Sequence, residues 1–396
     1  MDDMYDCAHD PFIEDESQQE SEDDILGLSD DAIRQAVITG TDWTTETIIT
    51  QINKGNILLN PRFQRRDAWT KNRKSTFIES LILGLPVPPL VLAESKNRRG
   101  SYIVLDGKQR LLSIRQFVAS AGDNVYGQLK LSGLEIRGDL NGKCLDDFRI
   151  ALDLYDDLSS FENQPIRTVI IKNWPNEAFL YHVFLRLNTG SVSLSPQELR
   201  QALHPGPFVD FIEESSRESQ SLRDILKNPK PDFRMRDAEL LVRYYAFIYL
   251  LSTYSGNLKA FLDDTCKKLN KLWPTEEDNI REELHEFEEA HRSIRRIFSE
   301  DAYHKWIGFG YEKRFNRAVF DILMFVFRHG AVRSKLEQNP QLVTQLFQDL
   351  CDNDHAFLSA IEQTTKSTGA TYVRLSHWVE KINKAFGVDL GVPRLV

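Results

Sequence analysis

Cysteine is scarce in this chain, and none of it is placed for joint chemistry. The four cysteines, Cys7, Cys144, Cys266 and Cys351, form no CxxC pair. That excludes a zinc knuckle and a redox dithiol, and reads as reduced thiols in a cytoplasmic protein. Long apolar runs are also lacking. The best stretch, residues 240–251, is interrupted by Arg243, and falls short of the roughly 18 residues a membrane-spanning helix needs. No basic segment followed by an apolar one opens the chain, so no secretory signal is expected. There is no GxxxxGK[ST] phosphate loop. The histidines are His9, His182, His204, His285, His291, His304, His329, His355 and His377, with no metal-ligand spacing among them. Asp123 with Glu135-Ile136-Arg137 has arginine where a PD-(D/E)xK nuclease would carry lysine.

Residues 1–31 contain no lysine or arginine but thirteen Asp and Glu. Removing those charges from the net −10 leaves +3 for residues 32–396. The body is nearly neutral and able to carry local basic patches. An acidic tail over residues 1–35 repels itself and holds little apolar surface, so it is expected to be disordered. It reads either as a solubiliser or as a nucleic-acid mimic that occupies a basic groove.

The whole chain of 396 residues is 41% hydrophobic and 27% charged, as in an ordinary globular protein. Residues 44–54 read as a helix, residues 57–59 as a short strand. Thr70 is placed to cap a helix with Phe77, Ile78, Leu81 and Ile82 on its apolar face. Strands follow at 90–93 and 102–105, then a helix with Leu111, Ile114 and Val118 on one side, closed by Gly122. Residues 123–165 read as loops with short strands, and 166–171 as a strand. From Pro175 onward the period is helical. Ser195-Pro196-Gln197-Glu198, Thr275-Glu276-Glu277-Asp278 and Asn339-Pro340 each read as a helix start. The expected class is α+β, with a mixed α/β domain at 40–190 and an all-helical domain at 195–396.

Three segments carry chemistry. In Val104-Leu105-Asp106-Gly107-Lys108-Gln109-Arg110-Leu111 a strand runs through a glycine into a helix start. The first amides of a helix have no internal acceptor, and the helix dipole favours an anion there. Gly107 admits a close ligand, and Lys108 and Arg110 add charge. Asp106 could cap the helix, orient an arginine or hold a metal ion. The same residues also fit a capped turn with surface charges. The second segment is Arg62, Gln64, Arg65 and Arg66, then Lys71, Arg73 and Lys74, interleaved with Phe63 and Trp69. Basic residues among aromatics suit a nucleotide or nucleic-acid surface, or a solvated loop with two aromatics in the core. The third, Arg186-Leu187-Asn188-Thr189-Gly190, ends a helix at a glycine.

Together these runs, with Glu79-Ser80-Leu81-Ile82-Leu83-Gly84-Leu85-Pro86-Val87-Pro88-Pro89, Glu198-Leu199-Arg200 and residues 234–243, resemble the DGQQR-motif family. This is domain-of-unknown-function family 262 of the ParB/sulfiredoxin-like superfamily, and the resemblance covers roughly residues 45–250. One position departs: Lys108 stands where the motif has its first glutamine. The resemblance implies a ParB/sulfiredoxin-like first domain. It also implies a nucleotide-binding, often NTP-hydrolysing subunit of a bacterial anti-phage or restriction system of the GmrSD type. Many relatives carry a further nuclease domain with paired histidines, a pattern not found here.

The residues expected to act on the nucleotide are Asp106, Gln109 and Arg110, with Gln64, Arg65, Gly107, Lys108, Arg186 and Asn188 binding it. Arg62, Arg66, Arg73 and Lys74 are the expected DNA contacts. The cofactor is an NTP, with magnesium. Expected partners are DNA, a separate nuclease or effector subunit, and further copies of the chain, with no membrane. The competing readings are a non-catalytic DNA-binding sensor and a scaffold protein.

Overall fold

The computed structural model describes residues 20, 34–57, 59, 68–96, 98–187, 195–363 and 365–395. Most of the acidic tail and residues 60–67 and 188–194 lie outside these. The chain divides into two units, and the change from one to the other falls between Leu203 and His204. Phe233–Met235 belong with the first unit.

The first unit is built on a four-stranded sheet. Its strands are β1 (Val37–Thr44), β2 (Leu90–Glu94), β3 (Tyr102–Asp106) and β4 (Pro165–Lys172), in the spatial order β1-β4-β2-β3. β2 and β4 run parallel, while β1 pairs antiparallel with β4 and β3 with β2. Strand residues alternate between the two faces of the sheet. Leu90, Leu92, Val104 and Ile166 accordingly join one core. Val91, Ala93, Ile103 and Leu105 join another on the opposite side. The first core is closed by α1 (Thr45–Asn53), α2 (Lys71–Ile82), α3 (Lys108–Phe117) and α5 (Tyr155–Asn163), which follows the short α4 (Leu145–Ile150). They contribute Ile48, Ile78, Leu81, Leu111, Ile114 and Phe161. The second core takes Phe179, Leu180 and Phe184 from α6 (Glu177–Leu187), and Leu199 from α7 (Pro196–Leu203).

Among its described residues the second unit is helical apart from one hairpin. It comprises α8 (Pro207–Glu218), α9 (Gln220–Ile225), α10 (Arg236–Tyr249), α11 (Leu258–Phe298), the strands β5 (His304–Trp306) and β6 (Tyr311–Phe315), and then α12 (Arg317–Phe327). Four more helices follow: α13 (Gly330–Leu336), α14 (Pro340–Asn353), α15 (His355–Glu362) and α16 (Thr368–Phe386). The expected α+β class is the one observed. No helix among the described residues is long and apolar enough to cross a membrane.

Several local expectations need correction. Of the strand expected at 57–59, residue 58 lies outside the described residues, and Ile57 forms an isolated parallel bridge to Tyr102. Residues 123–164 carry α4 and α5 and no strand, and β4 begins at Pro165. The helix after Asp106 ends at Phe117 with Val118 as its cap, short of Gly122. Thr275 starts no helix, because α11 runs unbroken through Pro274 over 41 residues. A proline removes one amide and crowds the preceding turn. Buried side chains on both sides of it, from Leu262, Leu269 and Trp273 to Ile280 and Phe287, keep one continuous apolar face in the core.

Candidate functional site

The turn from β3 into α3 has a defined geometry. The β2–β3 ladder shifts register between Val91 and Leu92, and Val91 is the partner of Asp106. Gly107 follows with φ +97°, in the left-handed region, and starts α3 with no side-chain cap. A β-carbon there would lie 2.3 Å from Leu90 Cδ2, so this position accepts only glycine without displacement. The Asp106 carboxylate does not cap the helix. Oδ1 accepts from Gly107 N–H at 2.7 Å, and Oδ2 accepts from Arg110 Nη2 at 2.9 Å. The same Nη2 donates to the Pro89 carbonyl at 3.1 Å. Asp106 is therefore the group that orients the arginine, one of its three expected roles.

Two buried polar atoms in this turn have no hydrogen-bond partner among the described residues, Arg110 Nε and Gln109 Oε1. Such atoms carry a desolvation cost that a ligand can remove. Lys108 is buried and gives its ammonium to Glu198, so it supplies less free charge to an anion than its type promises. Glu198 is held from its own side: Oε2 accepts from Ser195 N–H at 2.7 Å, and Ser195 Oγ accepts from Glu198 N–H at 3.2 Å. This capping box fixes the carboxylate that receives Lys108. The sequence showed Glu198 as a helix-start residue within the family resemblance; its pairing with Lys108 across 90 positions left no local signal.

These residues line a cleft of about 390 Å³ in the first unit, within the size range of ligand pockets. Asp106, Gly107, Lys108, Gln109 and Arg110 form one wall. Trp69, Phe77 and Phe233 add aromatic surface. The Arg73 guanidinium lies 4.8 Å from the centre of the Trp69 ring, and Trp69 meets Phe77 edge-on at 5.8 Å. Phe233 was not expected from the sequence, since it joins this unit from beyond its main segment.

The other expected residues divide. Arg73 is exposed and lines the cleft, beside Trp69. Lys74, its neighbour, turns inward and donates to Gln116 Oε1 at 2.7 Å. A DNA contact by Lys74 is thereby corrected: successive helix positions point about 100° apart, and this one faces the core. Arg186 is exposed near the end of α6 and is not among the cleft residues. Arg62, Gln64, Arg65, Arg66 and Asn188 lie outside the described residues. Asp123 pairs with Arg115 at 2.7 Å and Arg137 with Asp157 at 2.6 Å, so two of the three nuclease-like residues are engaged in separate ion pairs.

Burial lowers the Lys74 ammonium to a pKa of about 8 from 10.5. Between those values the unfolded chain holds a proton that the folded chain has released, so stability rises with pH. The expected gain between pH 7 and 9.5 is roughly 2 kcal/mol. Urea titrations at the two pH values should show this rise in the wild type and lose it in Lys74→Met. An equal rise in both would contradict the assignment.

Neither a curated protein nor a solved structure matches this chain. A family model does, over a segment that holds three of the four strands and every described residue of the cleft wall except Phe233. Residues 45–205 match the family described as the GmrSD restriction endonuclease, N-terminal domain.

Proposed function

We propose that the cleft binds the phosphates of a nucleoside triphosphate, and that the chain serves as the nucleotide-responsive subunit of a restriction or anti-phage system. The observation that carries this reading is the start of α3. It has a left-handed glycine, no side-chain cap, and an arginine held in place by Asp106 and Pro89. First-turn amides and the helix dipole favour an anion there, and Arg110 adds a full charge. Trp69 and Phe233 in the same cleft offer aromatic surface for a base. The match of residues 45–205 to a restriction endonuclease domain supports the biological setting.

Magnesium enters with the triphosphate in this reading. It binds through one or two carboxylates plus phosphate oxygens and water. Asp106 and Glu198 line the cleft, but Arg110 and Lys108 already pair with them. Asp106 is the more exposed of the two and is the carboxylate that would meet the ion. Hydrolysis falls to Gln109, whose buried Oε1 can accept from an attacking water, with Arg110 balancing the charge that develops. DNA cleavage is assigned to a separate effector, with which this chain assembles.

Calorimetric titration with the common NTPs and magnesium tests the reading. The wild type should bind one of them. Arg110→Ala should weaken it by about 1.5–3 kcal/mol, the worth of a charge-assisted hydrogen bond. Absence of binding to every NTP, or equal affinity in the variant, would contradict it.

A further inference from the structure

The second unit holds a cavity of about 360 Å³, bounded by α9, the C-terminal end of α11 and the β5–β6 hairpin. Its two carboxylates are already engaged. Arg295 Nε lies 2.7 Å from Asp224 Oδ2 and its Nη2 2.7 Å from Glu300 Oε1. His291 Nε2 is 2.9 Å from the same Asp224 oxygen, while its Nδ1 is 2.9 Å from the buried Tyr303 hydroxyl. One guanidinium and one imidazole thus fix both acids.

Three further cations line the cavity: Arg223, Lys227 and Lys313. None of them is ion-paired with a carboxylate among the described residues. Arg223 Nη2 donates to the Arg217 carbonyl at 2.7 Å, but its buried Nε has no hydrogen-bond partner among the described residues. Lys227 follows the cap of α9 with φ +51°, where glycine is the favoured residue. Its N–H bonds the Asp224 carbonyl at 3.1 Å, and the next N–H, from Asn228, bonds the Arg223 carbonyl at 3.0 Å. A lysine in this backbone conformation costs stability that glycine would not. The His304 imidazole is held below its ordinary value by burial and then by Lys227, against the opposing effect of Asp301 and Glu300.

We infer that this cavity is a second anion site, built for a phosphoryl group held by Arg223, Lys227 and Lys313. Three cations without carboxylate partners suit a multiply charged group with several acceptor oxygens, and an arginine fork suits its geometry. A carboxylate offers one charge and two oxygens, too few to use all three. The phosphoryl group could belong to a free nucleotide or to the end of a nucleic-acid strand.

Inorganic pyrophosphate is the probe. Calorimetry should show one more bound pyrophosphate per wild-type chain than per Lys227→Gly/Lys313→Ala chain, or an affinity at least about tenfold weaker at that site. If the first-unit cleft also binds pyrophosphate, the counts are two and one; if it does not, they are one and none. Lys227→Gly alone should keep or raise the thermal midpoint, which separates lost binding from lost folding. Competition by a nucleoside diphosphate assigns the site to free nucleotide. Competition by a 5′-phosphorylated single-stranded oligonucleotide assigns it to a strand end. Identical stoichiometry and affinity in the wild type and the double variant would overturn the proposal.

Discussion

Asp321→Ala should destabilise the second unit by about 3–5 kcal/mol, the cost of breaking a buried ion pair from one side. Asp321 lies on α12 and is almost wholly buried. Its Oδ1 accepts from Arg243 Nε at 2.6 Å and its Oδ2 from Arg243 Nη2 at 2.6 Å. Arg374 Nη2 donates to the same Oδ2 at 3.1 Å. One carboxylate thus serves two buried guanidiniums on α10 and α16. Removing it leaves both charges in the core without their shared carboxylate, and only the Glu239 charge still acts on Arg243, which is why the cost exceeds that of a lost hydrogen bond. Arg374 keeps one further acceptor, the Thr365 carbonyl at 2.6 Å, which does not balance its charge. Urea unfolding of the wild type and Asp321→Ala measures the difference. Adding Arg243→Met to Asp321→Ala should recover part of it, since one uncompensated charge then goes. A loss below about 1 kcal/mol would show that the triad is solvated in solution.

Gly107→Ala should destabilise the first unit by about 2–4 kcal/mol, combining left-handed strain with overpacking. It should also weaken nucleotide binding more than tenfold. The added methyl group would sit 2.3 Å from Leu90 Cδ2, on a side chain that is fully buried, and 3.2 Å from Arg110 Nη2. The substitution therefore disturbs both the strand beneath the site and the arginine within it. Gly100→Ala is the control. Gly100 has φ +77°, but nothing lies within 4 Å of its added carbon, so backbone strain alone applies, about 1–2 kcal/mol. Thermal denaturation of the two variants should rank them in this order, with nucleotide affinity reduced only for Gly107→Ala. Equal stability losses and normal binding in both would contradict the geometry assigned to the turn.

Local chemistry was legible in the sequence wherever the signal and its partner lie within one turn. Thr70 accepts from Arg73 N–H, Asn339 from Leu342 N–H, and Ser195 exchanges bonds with Glu198. The strand–glycine–helix turn at Asp106 was legible for the same reason. β1 was not. It has few apolar residues, its side chains lie largely at the surface, and it is specified by pairing with β4 more than 120 residues away. Gly40 within it lies against the Arg167 guanidinium, which also pairs with Asp42 at 3.2 Å. None of this leaves a pattern in eight residues. Lys74 and Arg73 look alike in sequence and differ only in helix phase, which the core decides. Pro274 reads as a boundary, yet packing along α11 outweighs one missing amide. The acidic tail remains an expectation, since residues 1–19 and 21–33 lie outside the described residues.

Hydrogen exchange of the backbone tests the central claim most directly, because it locates the ligand as well as detecting it. With a bound NTP and magnesium, the peptide spanning residues 106–111 should exchange more slowly than in the free protein. The first-turn amides of α3 would then have acceptors on the phosphates. The slowing should be lost in Arg110→Ala at the same nucleotide concentration. Nucleotide binding that slows exchange elsewhere and leaves residues 106–111 unchanged would contradict the assignment of this turn as the phosphate site.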